Sequence, residues 1–199
     1  VDCSDNEVNI KIALASAEQA GRLSSRKRSK LLLDMTDEVA AIVLEDNRLQ
    51  ALALSIAQTG GVKAAASHVR LIEKLEEMGA LDRKTEGLAD HEAFSRRASE
   101  GKGLTRPELA ILLSSAKLVL QDAIEQSDLV RDPALEPLLV GAFPQAIQQS
   151  YRKEILGHRL RKELIATKLA NRLINRMGLI HPFELAEEEG IGLAQVASA

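Results

Sequence analysis

The clearest structural signal in this 199-residue chain is TRPELAILLSSAKLVLQDAIEQ, residues 105–126. Thr105 and Glu108 have the T-x-x-E spacing of a capping box, in which each side chain satisfies a free backbone amide at a helix start. Pro107 falls in the first turn, where no backbone donor is needed. The stretch therefore predicts an α-helix that ends near Gln126.

The composition of the whole chain also favours helices. Apolar residues make up 45% of the sequence, whereas aromatic residues make up only 2%. A core of this kind is built from Leu, Ile, Val and Ala, which suits packed helices better than a sheet. We find no alternating runs rich in Val and Ile, and no repeat of fixed period. The predicted fold class is all-α, an irregular multi-helix bundle.

Further helices are predicted from capping residues, apolar periodicity and glycines. Ser4 and Glu7 have the S-x-x-E spacing, so we expect Ser4 to cap the first helix. Gly157 is expected to interrupt a long helical stretch near the C-terminus. The expected helices lie at about residues 5–19, 36–59, 62–78, 90–99, 105–126, 151–177 and 182–189, with short ones after Asp132 and Pro144.

Charge and cysteine content narrow the class of protein. The net charge of −3 requires no nucleic-acid or anionic-membrane partner. A single cysteine cannot form an internal disulfide, so we expect a cytoplasmic location. No apolar run approaches the ~18–20 residues that cross a bilayer, and no signal peptide is visible. Without a targeting segment or an initiator Met, the chain is expected to be an internal fragment.

Few side chains suggest chemistry of their own. Cys3 lies near a helix start, which lowers a thiol pKa, but with no histidine nearby a small apolar filler is favoured. The four histidines show neither H-x-x-x-H nor C-x-x-C spacing, so we predict no metal site and expect solvated or capping roles. Phosphate-binding glycine loops are also missing. These histidines are His68, His91, His158 and His181.

Residues 151–176 are distinctly basic. A nucleic-acid interface would use such a stretch, but it contains one aromatic residue, Tyr151, and also Glu154 and Glu163. Its apolar positions indicate a buried side, so a solvated face opposite the core is favoured. Asn171 and Asn175 are four residues apart on this helix. Either they make a buried interhelical contact, or they are exposed to solvent. The basic residues are Arg152, Lys153, Arg159, Arg161, Lys162, Lys168, Arg172 and Arg176.

The chain resembles one known family over nearly its whole length. The opening VDCSDNEVNIK, residues 1–11, is similar to a segment of the large-subunit, NAD-specific glutamate dehydrogenases of bacteria. MTDEVAAIVLEDN (35–47), GLTRPELAILLSSAK (103–117) and HRLRKELIATKLANRLINRMG (158–178) resemble the same family. The resemblance implies that residues 1–21 are the end of the catalytic core and that residues 22–199 begin a C-terminal helical domain.

The resemblance implies oxidative deamination of L-glutamate to 2-oxoglutarate and ammonium, with NAD as the hydride acceptor. In the wider superfamily, a V-x-x-S segment lines the substrate pocket. Val1 and Ser4 match it: Val1 would pack on the carbon chain of the substrate, and Ser4 would bond its side-chain carboxylate. The neighbouring Asp2, Cys3, Asp5 and Asn6 depart from the hydrophobic or aromatic residues of the smaller enzymes. Catalytic and NAD-binding residues are expected outside this chain.

Two roles for the helical region stay open at this point. In the first, it packs on the catalytic core of the parent enzyme, as a brace or as a contact between the subunits of a homo-oligomer. In the second, it is an autonomous helical interaction or regulatory module. The first predicts a large exposed apolar patch on the isolated chain, whereas the second predicts a polar surface. On either view we expect the isolated chain to be inactive and to leave NAD unbound, which calorimetry with NAD tests.

Overall fold

A computed structural model describes residues 2–199, with side chains from Asp5 onward. Only helices, turns and loops occur in this described part, which contains no β-strand. The predicted all-α class is thereby confirmed. The chain folds into two compact units, one formed by the residues up to 48 with 128–168, the other by 49–127 with 169–199.

Twelve α-helices occur in residues 2–199, and the division between the units falls within α3 and within α10. Short 3₁₀ turns lie at Gly61–Ala64, Asp128–Arg131 and Pro133–Leu135. The helices are α1 (Asp2–Gln19), α2 (Ser25–Asp34), α3 (Thr36–Thr59), α4 (Ala65–Glu77), α5 (His91–Ser99), α6 (Arg106–Glu125), α7 (Glu136–Val140), α8 (Gln145–Gln148), α9 (Arg152–Leu156), α10 (Arg161–Met177), α11 (His181–Glu188) and α12 (Leu193–Ser198).

In the first unit, α1 packs against α2 and α9 through one apolar stripe. Ile10, Ala13, Leu14 and Ala17 follow the i, i+3, i+4, i+7 spacing of one helix face and are fully buried. Burying a side chain such as Leu14 stabilises the fold by roughly 1.5–3 kcal/mol. Helix α1 is therefore fixed by tertiary packing from Ile10, in its third turn, onward.

In the second unit, α6 forms the centre and contacts both α4 and α12. The predicted capping box is confirmed: the Thr105 amide donates to Glu108 Oε2 at 2.7 Å, and Pro107 lies in the first turn. Arg97 from α5 donates to both Glu108 oxygens, at 3.0 and 2.7 Å. Glu108 thus joins the start of α6 to α5.

Several helix boundaries differ from the predictions. Ser4 lies inside α1, which begins at Asp2, so its predicted role as the helix cap is wrong, because a capping residue needs an extended backbone. Helix α12 was not predicted; Gly192 caps it, and its amide donates to Gln195 Oε1 at 2.8 Å. The break near Gly157 is confirmed, since α9 ends at Leu156 and α10 begins at Arg161.

Helix α3 is unusual because its 24 residues contain a single buried one, Ala53. Large apolar side chains stand exposed along its second half and just after it: Leu52 is 45% exposed, Ile56 54% and Val62 39%. We call these three residues the α3 face. In the part of the chain that the structure describes, no helix combines the length and apolar character that a membrane span needs.

Candidate functional site

Of the two predicted substrate-lining residues, only Ser4 falls within the described part of the chain. Val1 is outside the described residues, and Ser4 is described only as part of the α1 backbone. The Cys3 side chain is likewise outside the described set. What the structure does describe is how the rest of α1 is held, and that arrangement is the candidate functional site.

His158 joins the α9–α10 connection to α1. Its ring is 5% exposed, packs 5.8 Å from the ring of Phe143, and places Nε2 3.1 Å from the carbonyl oxygen of Asn9 in α1. Nδ1 lies 3.1 Å from the amide nitrogen of Leu160 and accepts its proton. Because Nδ1 accepts, Nε2 must carry the ring hydrogen and donate to Asn9. Both ring nitrogens are therefore satisfied only in the neutral form.

The pKa of His158 is lowered from its ordinary value. Burial is the largest cause, because it disfavours the imidazolium, and Arg159 lowers it further. The bond to Asn9 and the nearby Glu163 act in the opposite direction but do not outweigh burial. The site thus keeps His158 uncharged near neutral pH and preserves the bond to α1.

An ion pair between a buried carboxylate and an exposed guanidinium reinforces this contact. The Glu154 side chain, on α9, is 4% exposed and pairs with the guanidinium of Arg22, which lies just after α1. Glu154 Oε2 is buried and has no hydrogen-bond partner within the described residues. Breaking such a pair is costly because it leaves a buried charge uncompensated. We call Asn9, Arg22, Glu154 and His158 the α1 anchor.

The α1 anchor can hold a helix in place, but it does not form a catalytic set. His158 uses both nitrogens for structural bonds, and Glu154 pairs with Arg22, so neither is arranged to activate a nucleophile. The described part of the chain also contains no group of three side chains suited to hold a metal ion. The residues of the α1 anchor are therefore suited to hold α1 in position.

The expected roles of the histidines are correct for two of them only. His91 and His181 are exposed at helix starts. His68 and His158 are buried, so the expectation of solvated or capping roles was wrong for both. Both lie where helices meet, and single-sequence periodicity does not identify those partners. The members of the α1 anchor carry no shared sequence pattern, because they meet only through tertiary packing.

The basic stretch has the buried side that its apolar positions predicted. Ile165, Leu169 and Ile174 are buried, while Arg172 and Arg176 are exposed. Lys168 donates to Asp46 at 2.7 Å within the first unit. Much of the charge therefore faces solvent, as expected for the outer face of a packed helix.

Comparison with protein families matches both ends of the chain. The family model "Bacterial NAD-glutamate dehydrogenase, catalytic domain" matches residues 1–57. The model "Glutamate dehydrogenase, C-terminal" matches residues 101–199. Asn9 and Arg22 of the α1 anchor fall in the first match, and Glu154 and His158 fall in the second. The α1 anchor thus connects the two matched regions.

Curated relatives carry the name NAD-specific glutamate dehydrogenase. Those of Pseudomonas aeruginosa and Halomonas elongata are 41% and 38% identical over all 199 residues, and that of Mycobacterium tuberculosis is 36% identical over 96% of the chain. The chain spans 12% of the length of each of these relatives. No solved structure matches the chain.

Proposed function

Because this chain belongs to the family of bacterial NAD-specific glutamate dehydrogenases, we propose that it forms part of an enzyme that oxidises L-glutamate to 2-oxoglutarate and ammonium, with transfer of hydride to NAD. The names of relatives 36–41% identical support this proposal. We place the NAD-binding and catalytic residues in other parts of the longer protein. The reaction would take place in the cytoplasm.

The proposed contribution of this chain to substrate binding is the segment that contains Val1 and Ser4. The Ser4 hydroxyl would donate to the side-chain carboxylate of glutamate, and Val1 would pack on its carbon chain. A hydrogen bond to a charged group contributes roughly 1.5–3 kcal/mol. Residues 1–21 would then be the end of the catalytic core and residues 22–199 the helical domain.

The role we propose for the helical region is to hold α1, and with it the substrate segment, in place. The observation that carries this role is the 3.1 Å bond from His158 Nε2 to the Asn9 carbonyl, because it ties the region matched as C-terminal to the region matched as catalytic. The Glu154–Arg22 pair adds a second tie between the same regions.

The α3 face supports a brace rather than an autonomous module. Leu52, Ile56 and Val62 are large apolar side chains that are exposed within the short span 52–62, and apolar patches at a surface mark contacts with other protein. We propose that the remainder of the longer polypeptide covers this face. A homo-oligomer of that polypeptide is also proposed, with no nucleic acid among its partners.

Substitution of Ser4 by Ala in the intact enzyme tests the proposed function. Loss of a charge-assisted bond should raise the KM for glutamate about tenfold or more, since ~1.4 kcal/mol corresponds to tenfold. Ser16→Ala is the matched control, because Ser16 is an exposed serine of α1 whose hydroxyl donates to the Ile12 carbonyl of the same helix. Initial-rate kinetics with L-glutamate and NAD measure both variants. An unchanged KM for Ser4→Ala would remove Ser4 from the pocket, and failure of the wild type to reduce NAD would refute the activity.

A further inference from the structure

Helix α1 carries a second apolar stripe, on the side opposite to its buried one. Val8, Ile12 and Ala15 follow the i, i+4, i+7 spacing of one helix face. Val8 is 50% exposed, and Ile12 and Ala15 are half-buried. We call these three residues the second stripe. A helix on the surface of a protein needs only one apolar side, whereas a helix that is apolar on both sides is normally buried on both.

An open groove of about 390 Å³ runs along the second stripe. Its three apolar residues line the groove together with the longer side chains of Lys11 and Arg159. Lys11 forms an ion pair with Glu7, one turn away on α1, and Arg159 is exposed. The charges therefore lie on side chains that reach solvent, and the second stripe supplies an apolar floor that suits an apolar occupant.

The exposed apolar side chains are concentrated in one part of the chain. Eight large apolar side chains are exposed in the described residues, and five of them lie in the match to the catalytic-domain model, residues 1–57. The C-terminal match, residues 101–199, contains one of the eight, Leu118. Scattered exposed apolar residues are normal, but their concentration in one region marks a contact surface. The five are Val8, Leu33, Leu44, Leu52 and Ile56.

We propose that the rest of the catalytic domain in the longer enzyme covers the second stripe of α1 with an apolar surface. Two findings support this occupant. The family model that matches α1 is that of a catalytic domain, and the chain spans only 12% of the length of its relatives. The α1 anchor would then hold one side of α1 and the catalytic domain the other. This inference rests on the proposed place of the chain in a longer glutamate dehydrogenase.

Hydroxyl-radical footprinting of the intact enzyme and of the 199-residue chain tests the proposal. In the 199-residue chain, Val8 and Ile12 should be oxidised clearly faster than Leu14, which is fully buried. In the intact enzyme, we expect their oxidation to fall to the level of Leu14. An added reference peptide calibrates the radical dose. The measurement needs no turnover, so a failure of the enzyme to reduce NAD would bear on the proposed function alone.

Val8→Glu supplies the decisive variant. Val8 is exposed, so the 199-residue chain should keep its thermal stability. In the intact enzyme the new carboxylate would be buried against an apolar surface, which is unfavourable, so oxidation of Ile12 should return to its rate in the 199-residue chain. Leu118→Glu is the matched control, because Leu118 is similarly exposed but lies outside the catalytic-domain match. It should leave Ile12 protected.

Three results would overturn the proposal. Equal oxidation of Val8 and Ile12 in the 199-residue chain and in the intact enzyme would show that nothing covers the second stripe. Protection that grows with the concentration of the 199-residue chain would assign the groove to a second copy. Continued protection of Ile12 in a folded Val8→Glu enzyme would show that the contact lies elsewhere. If that variant does not fold, the wild-type comparison decides by itself.

Discussion

His158 connects two parts of the chain that are 149 residues apart in sequence. Its neutral ring donates to Asn9 and accepts from Leu160, and protonation would place a hydrogen on Nδ1 against the Leu160 amide. The lowered pKa of His158 follows mainly from its burial. A residue that is neutral when folded and charged when unfolded makes stability depend on pH.

The direction of this pH dependence follows from the lowered pKa. Below the ordinary histidine pKa of about 6.5 the unfolded chain binds a proton that the folded chain does not. The contribution of His158 to stability is therefore fully present above that pH and declines as the pH falls towards the pKa of the folded state. The pKa of His68 is also lowered, so His68 likewise makes the stability of the fold decline as the pH falls.

We predict that His158→Gln reduces the loss of stability between pH 7 and pH 5, because the Gln amide does not titrate and keeps a donor for Asn9. Urea unfolding at several pH values measures the effect. His91→Gln is the control, since it replaces an exposed histidine. A wild-type slope in His158→Gln would contradict the proposed role of the neutral ring.

The sequence alone did not indicate which histidines are buried. His68 and His158 have no distinctive neighbours in sequence, and their burial depends on helices that approach from distant parts of the chain. The prediction that Ser4 caps α1 was wrong for a related reason, because the S-x-x-E pattern also fits the interior of a helix. Here α1 begins at Asp2, upstream of the predicted start.

At the scale of the helices, α6 shows the closest agreement between pattern and structure. The T-x-x-E pattern with proline in the first turn acts through backbone chemistry that is entirely local, so it could be recognised without tertiary information. The bond of Glu108 to Arg97 was not predicted, because the two residues lie on different helices. The short α12 was missed because its cap is a glycine with no side chain of its own.

We predict that Glu108→Gln destabilises the chain by about 1.5–3 kcal/mol, the size of a hydrogen bond to a charged group. Burial raises the pKa of Glu108, but the bonds from Arg97 and Thr105 outweigh burial and hold it below its ordinary value. The carboxylate therefore stabilises the fold above the ordinary glutamate pKa, and this stability is lost as the pH falls through the lowered pKa.

Thermal or urea unfolding at pH 7 and pH 4 measures the effect of Glu108→Gln, which should be smaller at pH 4. Glu92→Gln is the matched control, because Glu92 is exposed and lies 3.8 Å from its partner Arg96. Exposed pairs of this kind contribute little, so this control should change stability by less than about 0.5 kcal/mol. Equal effects of the two substitutions would contradict the role of Glu108 at the start of α6.

At the scale of the whole molecule, composition predicted an all-α fold but not which helices meet. The pairing of α1 with α9 brings together residues about 140 positions apart, and apolar stripes alone fit many such pairings. The exposure of α3 is not evident from its sequence either, since its apolar periodicity resembles that of a buried helix. Both features depend on the tertiary arrangement rather than on local propensity.

The α3 face predicts self-association of the isolated chain. Leu52→Glu together with Val62→Glu should shift the 199-residue chain towards monomer in sedimentation velocity, because charge on an apolar contact surface opposes burial. Thermal stability should stay near the wild-type value, since both side chains are exposed. Leu118→Glu, at an exposed leucine of α6, is the control. A wild-type chain that is monomeric at all concentrations would favour the autonomous module.

The central claim is that the C-terminal helices hold α1, and amide hydrogen exchange of residues 5–19 tests it most directly. In the 199-residue chain with His158→Ala, we predict that the α1 amides exchange about tenfold faster or more, because one buried hydrogen bond and its packing are lost. The α6 amides should keep their wild-type rates, and His91→Ala should change neither helix. Wild-type exchange of α1 in a folded His158→Ala chain would contradict this claim.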